Sequence, residues 1–288
     1  RSAPAATGTS SRPYMASTRN ALAVVSARPT LPNTVVTPIR STSGLAHASA
    51  SATVMEEIGP GRTPSDPPPP AVRPPGAGEP PLAILIDYDG TISLTDVTDM
   101  VMVEHVPGVW EEASALYDAG GMGSRRLMAW EMSLVEADPA ALLDTAARQP
   151  HDPGFVPFVR LAQSAGIPIE IVSDGFGFFI EPALAALGVP ELPVVTARTT
   201  FRGRRPSIAF PNGHPACFVC GTCKRERVLA YRAVGRRVLF IGDGESDRYA
   251  GGYSDIVFAK RSLERICLEA GWPFHRWTAF SEIETWLA

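Results

Sequence analysis

The sequence predicts an α/β protein: a parallel sheet covered by helices, an all-helical insertion near its start, and a disordered N-terminal region ahead of it. Three observations predict this. Short, continuous apolar runs recur after residue 81 and most end in polar residues, as buried parallel strands do. Helical patterns separate these runs, which is the alternation of a sheet covered by helices. Between the first and second runs, residues 93–152 carry helical patterns alone.

Residues 1–55 hold five arginines and no Asp, Glu or Lys, and show neither helical nor alternating periodicity. A segment so poor in large apolar groups cannot offset its ordering entropy, so no packed element is placed there. Its acid-free, Arg- and Ser-containing composition is that of an organelle transit peptide. It reads equally as a disordered tail, or as in-frame upstream sequence with Met15 or Met55 as later starts. Residues 59–81 hold ten of the 28 prolines and read as a stiff spacer. The first domain boundary is therefore placed at 81/82.

Leu82–Ile86 is the first strand and ends in Asp87. Four helices follow: Val97–Val106, Trp110–Ala119, Ser124–Glu136 and Pro139–Arg148, the last started by Asp138 before a proline. Met100, Met102, Met122, Met128, Trp130 and Met132 in this insertion read as helix-packing core, or as an apolar lid over a ligand. Beyond it come a helix at Phe155–Ala165, a strand at Ile167–Val172 ending in Ser173-Asp174-Gly175, and a helix at Phe178–Leu187. Thr196–Phe210 reads as a small hairpin whose arginines sit in a solvated turn. A helix at Arg225–Val234, a strand at Arg237–Ile241 ending in Gly242-Asp243-Gly244, an edge strand at Asp255–Ala259 and a helix at Ser262–Ala270 complete the pattern. Ligands of such sheets bind beyond the carboxyl ends of the strands, so Asp87, Ser173 and Asp243 should converge.

The whole chain carries 26 basic and 30 acidic side chains. With the five N-terminal arginines set aside, the body has a net charge of −9. That balance argues against a broad nucleic-acid or anionic-membrane surface. No apolar run approaches the ~18 residues of a membrane-spanning helix. Four cysteines do not make a disulfide framework over this length, so a reducing, cytoplasmic compartment is the default, with an organelle as the alternative if residues 1–55 target one.

The central motif is Asp87-Tyr88-Asp89-Gly90-Thr91-Ile92, directly after a strand. Together with Ser173, Lys224 and the run Gly242-Asp243-Gly244-Glu245-Ser246-Asp247, in that order, it resembles the haloacid dehalogenase superfamily of phosphatases. The resemblance spans Leu82–Ala288 and implies a Rossmann-like core with a helical cap at about 93–152. It also implies a small phosphorylated metabolite as partner and Mg²⁺ as cofactor. Asp87 would be the nucleophile and Asp89 the general acid and base. Asp87, Asp243, Asp247 and the Asp89 backbone carbonyl would serve the metal. Ser173, Lys224 and backbone N–H groups around Asp89, Gly90, Thr91, Asp174 and Gly175 would hold the phosphoryl oxygens. The chemistry is consistent: a phosphate dianion needs cations and aligned donors, and a carboxylate can carry the phosphoryl group. Asp247 could orient Lys224 or simply cap a helix. The acid at 89 favours phosphoryl transfer, since dehalogenating relatives lack it.

The position of the insertion resembles the phosphoserine-phosphatase-like branch. Cys217–Lys224 (CFVCGTCK), Ile171–Leu184 and the chain's end resemble the 2-hydroxy-3-keto-5-methylthiopentenyl-1-phosphate phosphatases of methionine salvage. Two departures stand out. Asp174 replaces the usual Gly, and a carboxylate there must point away from phosphate or help hold the metal. Asp96 replaces the Glu that reads the phosphoserine ammonium. Arg125 and Arg126 are either readers of a substrate carboxylate or an exposed helix face. Cys217, Cys220 and Cys223, with His214, could bind structural Zn²⁺, pack as plain thiols, or respond to oxidation beside Lys224. Phosphoserine hydrolysis, phosphotransfer to an alcohol, and a non-enzymatic zinc or interaction module are the competing functions.

Overall fold

The computed structural model describes residues 78–108, 110–118, 122–216 and 219–288. The tail and most of the spacer expected over residues 1–81 lie outside these. The last residues of that spacer are tied down: Glu79 pairs with Arg237, and the Pro81 carbonyl accepts from Arg237 N at 3.0 Å.

Seven strands form one sheet in the order β4-β3-β2-β1-β5-β6-β7. They are β1 (Leu82–Ile86), β2 (Ile169–Phe176), β3 (Val194–Arg202), β4 (Arg205–Ala209), β5 (Arg237–Gly242), β6 (Ile256–Ala259) and β7 (His275–Arg276). All neighbours are parallel except β3 and β4. Every residue of β1 is buried because it has a strand on either side and helices on both faces. Its side chains alternate: Ile84 and Ile86 join a core with Phe155, Phe158 and Phe280, while Leu85 joins one with Val228, Phe240 and Leu263.

Four helices separate β1 from the rest: α1 (Val97–His105), α2 (Trp110–Asp118), α3 (Ser124–Leu134) and α4 (Pro139–Ala147). The cap signals function as the sequence implies. Asp96 accepts from Asp99 N at 2.9 Å to start α1, and Asp138 accepts from Ala140 N at 2.9 Å with Pro139 in the first turn of α4. Met102, Met128 and Met132 pack into the core around Val97, Val101 and Leu142. The remaining helices are α5 (Phe155–Ser164), α6 (Gly177–Ala186), α7 (Lys224–Ala233), α8 (Arg248–Tyr253), α9 (Arg261–Ala270) and α10 (Phe280–Leu287). No helix among the described residues is long and apolar enough to cross a membrane.

One expectation about the fold fails. The strand at Asp255–Ala259 is not an edge: β6 is covered on its outer side by β7, whose two residues carry no periodicity of their own. The hairpin expected within Thr196–Phe210 forms as β3 and β4, and β3 also extends the main sheet by pairing with β2. The turn's arginines are exposed, as expected; Arg204 donates to the Glu136 carbonyl at 3.0 Å and Arg205 pairs with Glu136 at 3.2 Å from that exposed position.

Candidate active site

β2, β1 and β5 are adjacent, and the chain leaves β1 to opposite sides to build them. Their carboxyl ends therefore flank a crevice, and Ser173, Asp87 and Asp243 lie there, bordering a cavity of about 400 Å³. The Asp-x-Asp spacing puts Asp87 and Asp89 on the cavity while Tyr88 turns inward, bonded to His151 Nε2 at 2.9 Å.

Lys224, at the first turn of α7 and 3% exposed, lies behind Asp87. Its Nζ donates to Asp87 Oδ1 at 2.6 Å, Asp247 Oδ1 at 2.5 Å and Ser246 Oγ at 3.1 Å. Burial pushes this ammonium down, but Asp247, Asp87 and Asp174 outweigh it and hold the pKa well above the ordinary lysine value. Asp247 uses its second oxygen to accept from Asp243 N at 2.9 Å and Gly244 N at 3.0 Å, so it fixes both the lysine and the loop that carries Asp243. Burial, then Asp247, raises Asp87, against the pull of Lys224. Asp243 is raised by the same two causes. Asp89 accepts from Val97 N at 2.8 Å and Thr98 Oγ1 at 3.4 Å, at the start of α1. Burial lifts its carboxyl to about 7.

Two glycines are dictated by crowding. Gly90 has φ 69°, and a Cβ there would lie 2.3 Å from Asp243 Oδ2. A Cβ on Gly175 would lie 2.3 Å from Asp89 Oδ2 and 3.1 Å from Ser173 Oγ. Gly175→Ala is therefore expected to displace the Asp89 carboxylate and lower kcat by ~10- to 100-fold while the protein stays folded. An unchanged kcat for p-nitrophenyl phosphate would contradict this.

The other residues singled out from sequence divide clearly. The Gly90 N–H is committed to Thr95 O at 3.0 Å and Ser93 Oγ at 3.2 Å, so it is not directed at a ligand. Thr91 Oγ1 donates to Asp243 Oδ1 at 3.3 Å, which makes it a support for that carboxylate. Asp174 turns away from the nucleophile: its Oδ2 accepts from Ser124 Oγ at 2.6 Å and its Oδ1 from Thr222 N at 2.6 Å. It thereby ties α3 to the loop that leads into Lys224. Asp96 borders the cavity at its mouth. Arg125 and Arg126 do not border it. The Arg125 guanidinium stacks on the Phe210 ring at 5.2 Å and Arg126 is exposed.

Zinc at the cysteines is not supported. Cys217 lies outside the described residues, and Cys220 and Cys223 join no ligand group among those described. His214 is engaged elsewhere, with Nδ1 accepting from Ala216 N at 3.1 Å and Nε2 lying 3.8 Å from Glu226 Oε1. The group that forms is Asp87, Asp243 and Asp247, with ligand atoms within 4.8 Å of one another. Four buried carboxylates, at 87, 174, 243 and 247, and the half-buried Asp89 gather here, with Lys224 paired to Asp87 and Asp247 and Arg261 to Asp243. A hard divalent cation fits this oxygen-rich, anionic donor set.

The sequence reading missed Arg261, Glu131, Trp110 and Tyr117, all of which border the cavity. Arg261 bonds Asp243 Oδ2 at 3.0 Å and Leu94 O at 3.1 Å, from a left-handed backbone (φ 50°). Its signal was its place just after β6, at the same sheet edge as the motifs. Glu131 was marked by interrupting the apolar stripe Met128, Met132, Val135.

A buried carboxylate beside a buried lysine, a second acid two residues on, and paired acids after the adjacent strand meet at the carboxyl edge of a parallel sheet. The chain belongs to the haloacid dehalogenase-like hydrolases, whose family model matches residues 84–251. The 2-hydroxy-3-keto-5-methylthiopentenyl-1-phosphate phosphatase of Brevibacillus brevis is 26% identical over 219 residues, covering 70% of this chain and 93% of the relative. The enzyme of that name from Lysinibacillus sphaericus is 32% identical over 197 residues, covering 65% and 85%. A phospho-aspartyl intermediate analogue of phosphoserine phosphatase superposes with a TM-score of 0.56 at 17% identity, covering 73% of this chain and all of that one, a likeness of fold. Family membership and the named relatives support phosphatase activity.

Proposed function

We propose that this chain is a Mg²⁺-dependent phosphomonoesterase that acts on a small metabolite through a phosphorylated Asp87. The observation that carries this reading is the Asp87 carboxylate, buried and fixed at 2.6 Å from Lys224, with Asp89 held two residues away by Val97 N. Asp87 would attack phosphorus as Asp89 gives its proton to the leaving alkoxide. Asp89 would then take a proton from the water that attacks the acyl phosphate. A carboxyl poised near 7 suits both halves of that cycle. Ser173 and Lys224 would hold phosphoryl oxygens. Asp87, Asp243 and the Asp89 carbonyl would hold Mg²⁺, which supplies neutralisation of phosphate charge among carboxylates. Asp247 would orient Lys224 and the loop of Asp243, to which its two oxygens are bonded.

Helices α1–α4 act as the cap over this site. The favoured substrate is 2-hydroxy-3-keto-5-methylthiopentenyl-1-phosphate, on the names of the relatives and their coverage. The test is phosphate release by the full chain from that ester, phosphoserine and a set of sugar phosphates, with Mg²⁺ and with EDTA. Release concentrated on the methylthiopentenyl ester and lost in EDTA is the expected result. Release unaffected by EDTA would remove the metal from this reading. Alkyl phosphate formed in the presence of added alcohols would identify a transferase.

A further inference from the structure

Glu131 is the buried acid of the cavity that the proposed chemistry leaves unused. It lies in α3 among Met128, Met132 and Val135, on the face that packs inward, where an acid is costly unless it has a purpose. It is 3% exposed, borders the cavity, and makes no hydrogen bond or ion pair with any described residue. Burial, with the charge of Asp99, pushes its carboxyl up to about 8, so the uncharged acid predominates at neutral pH. Such a group both donates and accepts a hydrogen bond.

Trp110, Tyr117, Leu127 and Met128 add apolar and aromatic surface to the cavity that Glu131 borders. The cations described at the site are already paired. Arg261 is bonded to Asp243 and Lys224 to Asp87, while Asp96 and Asp99 add further acids at the mouth. A leaving group that carries a carboxylate would meet acids and no balancing cation there. An uncharged keto or hydroxyl oxygen would complete the hydrogen bonding of a buried side chain that otherwise has none.

We infer that Glu131 is a specificity-determining residue, hydrogen-bonding an uncharged keto or hydroxyl oxygen of the leaving group and disfavouring leaving groups that carry a carboxylate. This rests on the phosphatase reading above and narrows its substrate class.

The experiment compares kcat/KM of the full chain for ribulose 5-phosphate, n-pentyl phosphate, O-phosphoserine and O-phosphoethanolamine, in the parent, Glu131→Gln and Glu131→Leu. Ratios within one preparation are independent of the folded fraction. The parent is expected to prefer the pentulose ester over the pentyl ester by about 100-fold, because a site built to bond oxygen rejects the analogue lacking it. Gln, an uncharged isostere, should keep that ratio within about threefold, and Leu should bring it down about 30-fold. An unchanged ratio in the Leu variant overturns the inference. So does phosphoserine turned over as well as the pentulose ester. Preference for O-phosphoethanolamine that disappears in the Gln variant would make Glu131 a reader of ammonium instead. No phosphate from any ester with Mg²⁺ present would remove the phosphatase reading itself, and this inference with it.

Discussion

Asp87→Asn is expected to abolish turnover and leave the fold standing. The amide has the size and shape of the carboxyl, and its oxygen can still accept from Lys224, now 2.6 Å from Asp87 Oδ1. What it lacks is the anionic oxygen that would attack phosphorus in the proposed reaction. Loss of a nucleophile whose partners act with it as a unit costs at least ~10⁴-fold in kcat. The fold should not suffer, because burial and the charges of Asp247 and Asp243 already press the Asp87 carboxyl toward its neutral form. A neutral side chain relieves that pressure, so the thermal midpoint should stay level or rise. Phosphate release and a melting curve on the same preparation check both halves. Turnover within tenfold of the parent would show that Asp87 does not carry the phosphoryl group.

The residues that make this prediction possible were legible because each sits at the end of a strand buried on both faces. Leu82–Ile86 and Arg237–Ile241 read as continuous apolar runs, and the polar residues that interrupt them are Asp87 and the Gly242-Asp243-Gly244 turn. α10 was missed although Phe280, Ile283 and Leu287 keep helical spacing, because eight residues at a chain end give a short signal. β7 was invisible because two residues have no period. The same limit applies to the cavity. Local sequence fixes that Ser124–Leu134 is helical and which stripe is apolar, but not where that helix lands above the sheet. That placement decides that Glu131 faces the cavity while Arg125 turns to Phe210. It also decides the fate of Asp174, whose partners Ser124 and Thr222 are 50 and 48 residues away in sequence.

Lys224→Met tests the electrostatic frame of the site and should harm both activity and stability. Its ammonium sits 2.6 Å from Asp87 and 2.5 Å from Asp247, with all three side chains buried. On the proposed chemistry, removing a preorganised cation that would meet developing phosphoryl charge is expected to lower kcat by ~10³-fold. Removing one partner of a buried ionic group strands the others, at a cost of ~3–5 kcal/mol. The pH dependence gives the decisive sign. Lys224 has a folded pKa above its unfolded value, so its contribution is complete below about 10.4 and does not vary between pH 5 and pH 8. Asp87 is different. Burial and its acidic neighbours already raise it, and the variant loses the cation that pulls it down. Its folded pKa then climbs further above the unfolded value of about 3.9. Across that window the folded state binds a proton that the unfolded state has released, so the variant loses stability as pH rises. Urea unfolding in EDTA, with no metal to compensate, should therefore show the gap between parent and variant widening from pH 5 to pH 8. A gap that stays constant over that range would mean that Lys224 does not hold Asp87 in its ionised form.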